Sequence, residues 1–259
     1  MTESIQSADG SIITYQTAGT GPALIIVGGA FNDRQSAAPL VPLLAEHFSV
    51  HSFDRRGRGD STDNSSHPPY LVEREVDDLQ ALIAQAGGSA MLYGHSSGGV
   101  LALEATMRGL PVTKVAVYEP PYSAGSDRQE PIGAWARRID LAVADDDPER
   151  AAEIFLGQIG GDALGHLKQA PWWPHMVAVA HTLPYDVALV GDGSVPTERL
   201  SALEVPVLVM DGGQGEQWRR DAVVALAAAI PGARHVTIEG QGHAVAHEVI
   251  APQIIEFFR

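Results

Sequence analysis

One five-residue stretch, Gly94-His95-Ser96-Ser97-Gly98, constrains what this chain can fold into more than any other. It follows the short apolar run Ala90–Tyr93 and precedes the Ala/Leu-rich helical segment Val100–Met107. A G-x-S-x-G between a strand and a helix is typical of a nucleophile elbow, a turn so sharp that small residues must flank the serine. The sequence therefore predicts that Ser96 stands exposed at the carboxyl edge of a sheet.

Short apolar runs alternate with helical patterns on both sides of this stretch. The runs that indicate strands are Ser11–Thr17, Ala23–Val27, Ser49–Phe53, Thr113–Tyr118, Val205–Met210 and Arg234–Glu239. The helical patterns cover Pro39–His47, Leu71–Ala86, Glu216–Ile230 and a last helix that ends at Phe257-Phe258. Strands that alternate with helices at this spacing form a mostly parallel sheet with helices on both faces, and ligands bind at the carboxyl ends of such strands. We therefore expect an α/β, doubly wound fold.

The alternation breaks after about Pro120. Residues 121–195 contain four helical patterns and no clear strand: Ile132–Ala144, Pro148–Ile159, Gly161–Gln169 and Trp173–Val190. We predict a core made of residues 1–120 and 196–259, with an inserted helical cap over residues 121–195. Trp135, Trp172 and Trp173 are expected to pack this cap against the core or to line a pocket.

Composition excludes several classes of partner. The formal net charge of −15 argues against nucleic acid and against an anionic membrane, because phosphate groups bind to basic surfaces. No cysteine is present, so we expect no disulfide and no cysteine-bound metal. Met1–Gly10 is polar, and no apolar run approaches the ~18 residues of a membrane span. We expect a cytoplasmic protein that acts on a small molecule, and the sequence leaves its oligomeric state open.

Three motifs, in this order along the chain, resemble the α/β-hydrolase fold family. They are Asp54–Ser61, which reads D-x-R-G-x-G-x-S, the elbow Gly94–Gly98, and Gly240-Gln241-Gly242-His243 near the C-terminus, which reads G-x-G-H. The resemblance covers essentially the whole chain. It implies the α/β-hydrolase fold with a helical cap and a serine hydrolase that needs no cofactor.

A serine hydroxyl is a poor nucleophile unless a neighbouring base takes its proton during attack. His243, on its glycine-flanked loop, is the best-placed base among the ten histidines. His95 is carried by the elbow itself and is expected to pack beside the turn. His247, four residues after His243, could share a helical face with it, but two ligands alone do not make a metal site, and we expect no metal.

The family stabilises the oxyanion with two backbone donors. One is the N–H that follows the nucleophile, which is here Ser97. The other comes from the loop after the strand Ala23–Val27, where the family often has His-Gly-x and this chain has Gly28-Gly29-Ala30. The resemblance therefore implies Ala30 as the second donor, with Phe31 as the alternative.

The acid of the triad departs from the family's commonest pattern. The usual position lies beyond the strand Val205–Met210, and here the expected aspartate falls at or near Gly215. Some branches, including certain lactonases and haloalkane dehalogenases, carry the acid one strand earlier, where this chain has Glu119. A carboxylate there can hold the Nδ1–H of the histidine. The resemblance implies Glu119 as the acid, with Glu216 and Asp211 as alternatives.

The D-x-R-G-x-G-x-S loop also carries charged residues. The resemblance implies that Asp54 organises its own loop through hydrogen bonds to backbone amides. Arg55, Arg56 and Arg58 are expected to face solvent or acidic neighbours.

These residues together predict a cofactor-independent serine hydrolase that cleaves a small, largely uncharged and apolar carboxylic ester or lactone through an acyl-enzyme. Ser96 in place of an aspartate argues against haloalkane dehalogenase and epoxide hydrolase chemistry. A C–C bond hydrolase or a perhydrolase-type haloperoxidase would use the same three residues on another substrate. A ligand-binding receptor of this fold with little turnover is the alternative from a different class.

Overall fold

The computed structural model describes residues 2–64, 70–123, 131–159 and 164–259. The strands in these ranges are β1 (Thr2–Gln6), β2 (Ile12–Ala18), β3 (Ala23–Val27), β4 (Ser49–Phe53), β5 (Ala90–His95), β6 (Val112–Tyr118), β7 (Val207–Gly212) and β8 (Arg234–Ile238). β3 and β4 have the bounds that their apolar runs predict. β1 was not expected, because an exposed edge strand with one partly buried residue carries little apolar signal.

The strands form one sheet in the order β1-β2-β4-β3-β5-β6-β7-β8. β1 and β2 run antiparallel to their neighbours, and the pairs from β4 through to β8 are parallel. β5, which leads into Ser96, lies between β3 and β6 near the middle of the sheet. The carboxyl ends of β3, β5, β6, β7 and β8 therefore meet at one edge, and the predicted doubly wound α/β fold is confirmed.

The helices in the described ranges are α1 (Val41–Ala45), α2 (Val72–Gln85), α3 (Ser97–Met107), α4 (Ile132–Ala144), α5 (Pro148–Ile159), α6 (Leu164–Leu167), α7 (Trp173–Val179), α8 (Leu183–Val190), α9 (Thr197–Leu200), α10 (Gln217–Ala229) and α11 (His247–Phe258). The predicted pattern Gly161–Gln169 is a helix over α6, and residues 161–163 lie outside the described ranges. The predicted pattern Trp173–Val190 is divided into α7, a 3-10 turn and α8. α8 begins with Pro184 in its first turn, where a missing N–H costs least.

Each face of the sheet is covered by helices, as alternating side-chain directions require. Ile25 and Val27 of β3 belong to an apolar cluster that includes residues of α2, α3 and α10. Leu24 and Ile26 of the same strand belong to a second cluster that includes residues of α1 and α11. Burial on both faces explains why these central strands are continuous apolar runs.

In the described ranges six helices, α4 to α9, lie between β6 and β7, and we refer to the first five as the α4–α8 segment. Their apolar side chains form a third cluster, which also takes in Phe31 from the loop after β3. An isolated parallel bridge pairs Ser123, before α4, with Ser194, after α8. The division into a core of residues 1–120 and 196–259 and a cap of residues 121–195 stays a prediction.

One of the three tryptophans in residues 121–195 differs from the prediction made for all three. Trp135 and Trp173 are buried in the third cluster, and Trp135 Nε1 donates to the carbonyl of Ile154 at 3.1 Å, so Trp135 joins α4 to α5. Trp172 is 47% exposed, and the prediction that it packs or lines a pocket is wrong. Trp172 lies immediately before α7, and Trp173, the first residue of that helix, is the one that is buried.

Within the described part of the chain, the helices are too short or too polar to cross a bilayer.

Candidate active site

Ser96 lies on a strained turn between β5 and α3. Its φ of 54° and ψ of −128° are rare for a residue with a side chain, and such strain persists where the surroundings fix the turn. A Cβ on Gly94 would lie 2.5 Å from the Gly98 carbonyl oxygen, and a Cβ on Gly98 would collide with the Val27 carbonyl oxygen. The two glycines therefore let α3 cross close over β3 and β5, which is the geometry expected of a nucleophile elbow.

Glu119 and His243, which lie 124 residues apart in the chain, meet at the edge of the sheet. His243 Nδ1 donates to Glu119 Oε2 at 2.6 Å, and the Gly212 N–H donates to Glu119 Oε1 at 3.0 Å. The Glu119 side chain is 1% exposed. Burial would raise the pKa of Glu119, but the hydrogen bonds from His243 and Gly212 hold it below its ordinary value. The Glu119 carboxylate is therefore ionised and accepts two hydrogen bonds, one of which comes from the imidazole of His243.

The backbone of Glu119 also departs from ordinary strand geometry. Its φ of 45° lies in the left-handed region, which residues with side chains seldom adopt. Its N–H donates to the Met210 carbonyl at 2.9 Å, so the residue is tied to β7 as it leaves β6. This turn aims the carboxylate across β7 toward the histidine loop.

The two alternative acids contact other groups. Asp211 Oδ1 accepts hydrogen bonds from His235 Nε2 and Thr237 Oγ1, both at 2.9 Å. The Glu216 side chain is 56% exposed and pairs with Arg219 at 3.3 Å. Of the three carboxylates named from the sequence, Glu119 is the one that the structure brings to His243.

Two side chains donate hydrogen bonds to the backbone of the loop Gly240–His243, which we call the histidine loop. Tyr118 Oη donates to the Gly242 carbonyl at 2.6 Å, and His95 Nε2 donates to the His243 carbonyl at 2.9 Å. The rings of His95 and His243 lie 4.9 Å apart, so the histidine loop sits over the residue that precedes Ser96. Burial lowers the pKa of His95 to about 4, and its one proton is on Nε2 because a carbonyl only accepts. His95 packs beside the turn, as expected, and also supports the loop.

The loop after β3 lies against the serine. A Cβ on Gly29 would be 3.0 Å from the Ser96 Cβ, so a side chain there would fill the space beside the serine. Phe31 has a φ of 63°, and its carbonyl accepts a hydrogen bond from His175 Nε2 of α7 at 3.1 Å. Of the expected oxyanion donors, Ala30 follows Gly29 in the loop that contacts Ser96, and Ser97 is the first residue of α3.

The loop after β4 differs from its prediction in one respect. Asp54 organises the loop as expected, since it accepts hydrogen bonds from the N–H groups of Arg34 at 2.7 Å and Asp60 at 2.9 Å. Arg55, Arg56 and Arg58, however, are each 1% exposed, and the expectation that they face solvent is wrong. They face acidic neighbours, the other option that the sequence left open, because a buried guanidinium needs a carboxylate partner.

One of those partners, Asp186 on α8, was missed in the sequence. It binds Arg55 and Arg58 at 2.6 Å each, and it also accepts the Ser97 hydroxyl at 2.7 Å. A single aspartate in the otherwise apolar helix LPYDVALV was the available signal, because a charge at such a position is buried and needs a partner. Across the described residues, no three His, Asp or Glu side chains are grouped so as to hold a metal ion.

Comparison with known proteins identifies the family. Residues 23–252 match the model of the alpha/beta hydrolase family. The chain belongs to the alpha/beta hydrolase family. The crystal structure of an alpha/beta hydrolase from Sphaerobacter thermophilus is 45% identical, with a TM-score of 0.93 and coverage of 99% of this chain and 100% of that one. The resemblance inferred from the three motifs is therefore confirmed.

Curated relatives in the family support a hydrolase. A pimeloyl-[acyl-carrier protein] methyl ester esterase from Xanthomonas campestris pv. campestris is 30% identical over 240 residues, which cover 87% of this chain and 89% of the relative. The uncharacterized hydrolase YraK from Bacillus subtilis is 33% identical over 100 residues, which cover 38% of this chain and 37% of that protein. Because this family fold hosts many reactions, the reaction has to be argued from the site.

Proposed function

We propose that the protein is a cofactor-independent serine hydrolase that cleaves a small, largely apolar carboxylic ester or lactone through an acyl-enzyme. Ser96 is the nucleophile, His243 is the general base and Glu119 is the acid that orients the imidazole. The N–H groups of Ala30 and Ser97 form the oxyanion hole.

The contact between Glu119 and His243 carries this proposal. A carboxylate that accepts the Nδ1–H leaves the Nε2 of a neutral imidazole free to take a proton from a hydroxyl. Because Glu119 is buried and its second oxygen is fixed by the Gly212 N–H, the ring is held in one orientation and one tautomer. An oriented imidazole with an unprotonated Nε2 is the base that activation of a serine requires.

The reaction follows from these positions. Ser96 Oγ attacks the substrate carbonyl carbon while His243 Nε2 takes the hydroxyl proton, and the carbonyl oxygen becomes an anion bound by the two N–H donors. The tetrahedral intermediate collapses, the bond to the leaving oxygen breaks, and His243 returns the proton to that oxygen. A water molecule then gives a proton to His243 and attacks the acyl carbon. The bond from that carbon to Ser96 Oγ breaks, His243 returns the proton to Oγ, and the carboxylic acid leaves.

One observation supports an apolar portion in the substrate, and another supports an ester bond. Phe31, next to Ala30, belongs to the apolar cluster of the α4–α8 segment, and its ring packs edge-on against Phe155 at 5.3 Å. The relative from Xanthomonas campestris is named for the hydrolysis of a methyl ester. An ester class is therefore the first to test.

The test is hydrolysis of p-nitrophenyl acetate and butyrate by the wild type and by Ser96→Ala, together with covalent labelling of Ser96 by a fluorophosphonate. We expect turnover and labelling in the wild type and neither in Ser96→Ala, because the hydroxyl is the attacking group. A wild type that is neither labelled nor faster than Ser96→Ala would contradict the proposal. Labelling without ester turnover would indicate that Ser96 is activated but acts on another substrate, such as one that is cleaved at a C–C bond.

A further inference from the structure

Asp186 of α8 is buried where the α4–α8 segment meets the sheet. Its side chain is 0% exposed. Oδ1 accepts hydrogen bonds from Ser97 Oγ at 2.7 Å and from Arg55 Nη1 at 2.6 Å, and Oδ2 accepts one from Arg58 Nη2 at 2.6 Å. One carboxylate thus binds the first residue of α3 and two residues of the loop after β4.

Arg55 and Arg58, which bind Asp186, also donate hydrogen bonds to the loop after β3. Arg58 Nη1 donates to the carbonyl of Gly29 at 2.7 Å, and Arg55 Nη1 donates to the carbonyl of Gly28 at 3.3 Å. In a planar trans peptide, the carbonyl and the following N–H point in opposite directions. Because Arg58 holds the Gly29 carbonyl on its own side of the loop, the Ala30 N–H points to the other side.

Both expected oxyanion donors therefore depend on the same carboxylate. Asp186 binds the Ser97 side chain directly, and Ser97 supplies one donor from its backbone. Asp186 also fixes Arg58, whose second amino group orients the peptide that supplies the Ala30 donor.

The cluster is electrically balanced and buried. Arg55 binds Glu75 of α2 through two hydrogen bonds of 2.6 and 2.7 Å, so two guanidinium groups face two carboxylates. Burial alone would raise the pKa of Asp186, but the charges of Arg55 and Arg58 hold it below its ordinary value. Arg58 is bound at a third point by Thr182 Oγ1 at 3.0 Å. A guanidinium that is hydrogen-bonded on three edges has little freedom to rotate. Its position therefore depends on the position of the carboxylate that binds it.

We propose that Asp186 is a positioning residue for the oxyanion hole, which it holds directly through Ser97 and indirectly through Arg58 and the Gly29–Ala30 peptide. The role rests on the proposed serine hydrolase function. Oxyanion donors act by being fixed in advance where negative charge develops. Loosening them weakens binding of the transition state more than binding of the substrate, so kcat should fall while KM stays near its wild-type value.

The experiment compares two buried ion pairs of the same chain. The test variants are Asp186→Asn and Arg58→Lys, which removes the fork but keeps the charge. The matched controls are Asp78→Asn and Arg56→Lys, because Arg56 and Asp78 form an equally buried pair of 2.7 Å. In the described structure, the partners of this control pair lie away from residues 28–32.

Steady-state hydrolysis of p-nitrophenyl butyrate is measured for all four variants and the wild type, with the urea midpoint as the measure of folding. We expect kcat to fall about 10- to 100-fold in Asp186→Asn and Arg58→Lys, with KM little changed. The controls should lose stability and keep kcat. If Asp186→Asn does not fold, Ser97→Ala removes one of its hydrogen bonds without uncovering a charge and should lower kcat in the same direction.

Equal kcat losses in the test and control variants would refute the role of Asp186, because the effect would then be one of general stability. A rise in KM at constant kcat would also refute it and would assign the cluster to substrate binding. A wild type that neither hydrolyses esters nor reacts with a fluorophosphonate refutes the proposed function, and this role with it. The role alone fails when the wild type is active and the test variants match the controls.

Discussion

Replacing Glu119 by glutamine keeps the shape of the side chain and removes its charge. Glu119 accepts two hydrogen bonds, one from His243 Nδ1 at 2.6 Å and one from the Gly212 N–H at 3.0 Å. Glutamine has one carbonyl oxygen and one NH2 group, so it can accept from only one of these donors at a time. If the oxygen faces the fixed backbone N–H, the NH2 group faces Nδ1.

An NH2 group at Nδ1 forces the imidazole into the tautomer that carries its proton on Nε2. That nitrogen can then no longer take a proton from the Ser96 hydroxyl. The equivalent change of aspartate to asparagine in a serine protease triad lowers kcat about 10⁴-fold. We therefore expect Glu119→Gln to lower kcat by about 10³- to 10⁴-fold, which corresponds to about 4 to 5 kcal/mol of transition-state stabilisation.

The assay is p-nitrophenyl butyrate hydrolysis under single-substrate, steady-state conditions, with Glu216→Gln and Asp211→Asn as the controls. Both controls should keep kcat near the wild-type value, because neither carboxylate contacts His243. The urea midpoint of each variant separates a loss of chemistry from a loss of folding. If Glu119→Gln keeps most of its kcat while Glu216→Gln loses it, the assignment of the acid is wrong.

Two further predictions concern the elbow. Burial lowers the pKa of His95 to about 4, below the ordinary value of about 6.5, so on acidification the unfolded chain takes up the proton first. The free energy of unfolding, measured with urea, should fall between about pH 6.5 and 4, and less steeply in His95→Gln; parallel curves would contradict this. Gly98→Ala should destabilise the fold by about 1 to 3 kcal/mol or more, because its Cβ meets the backbone of Val27 and Gly28. Gly133→Ala, in open space at the start of α4, is the control, and an equal loss there would refute the steric explanation.

The parts of this molecule that could be predicted from the sequence are those that are encoded locally. β3 and β4 are continuous apolar runs because both of their faces are covered, and each run ends where the loop begins. The elbow is local as well, since the glycines that permit its sharp turn stand two residues on either side of Ser96. Glu119 was named from the resemblance to family branches that carry the acid one strand earlier, and its contact with His243 agrees with the order of the strands.

The parts that could not be predicted depend on pairs of residues that are far apart in the chain. Arg55 and Arg58 are 131 and 128 residues from Asp186. No local pattern in the sequence indicates that these residues form ion pairs. A short run of arginines in an acidic protein is compatible with solvent and with buried pairing alike. The choice between these depends on where α8 docks, which is a property of the tertiary structure.

The position of the acid is explained by the space beside Glu119. A Cβ on Gly215, the place where the family's commoner aspartate is expected, would lie 3.1 Å from Glu119 Oε1. An aspartate there would bring a second carboxylate close to that of Glu119, and two carboxylates that share a site repel each other and raise the pKa of one of them. Glu119 adopts a left-handed backbone that costs on the order of 1 to 3 kcal/mol, and this cost is offset by the hydrogen bonds from His243 and Gly212. Glycine at position 215 therefore leaves space for the Glu119 carboxylate after β6, and on the proposed assignment the departure from the common pattern is a relocation of the acid.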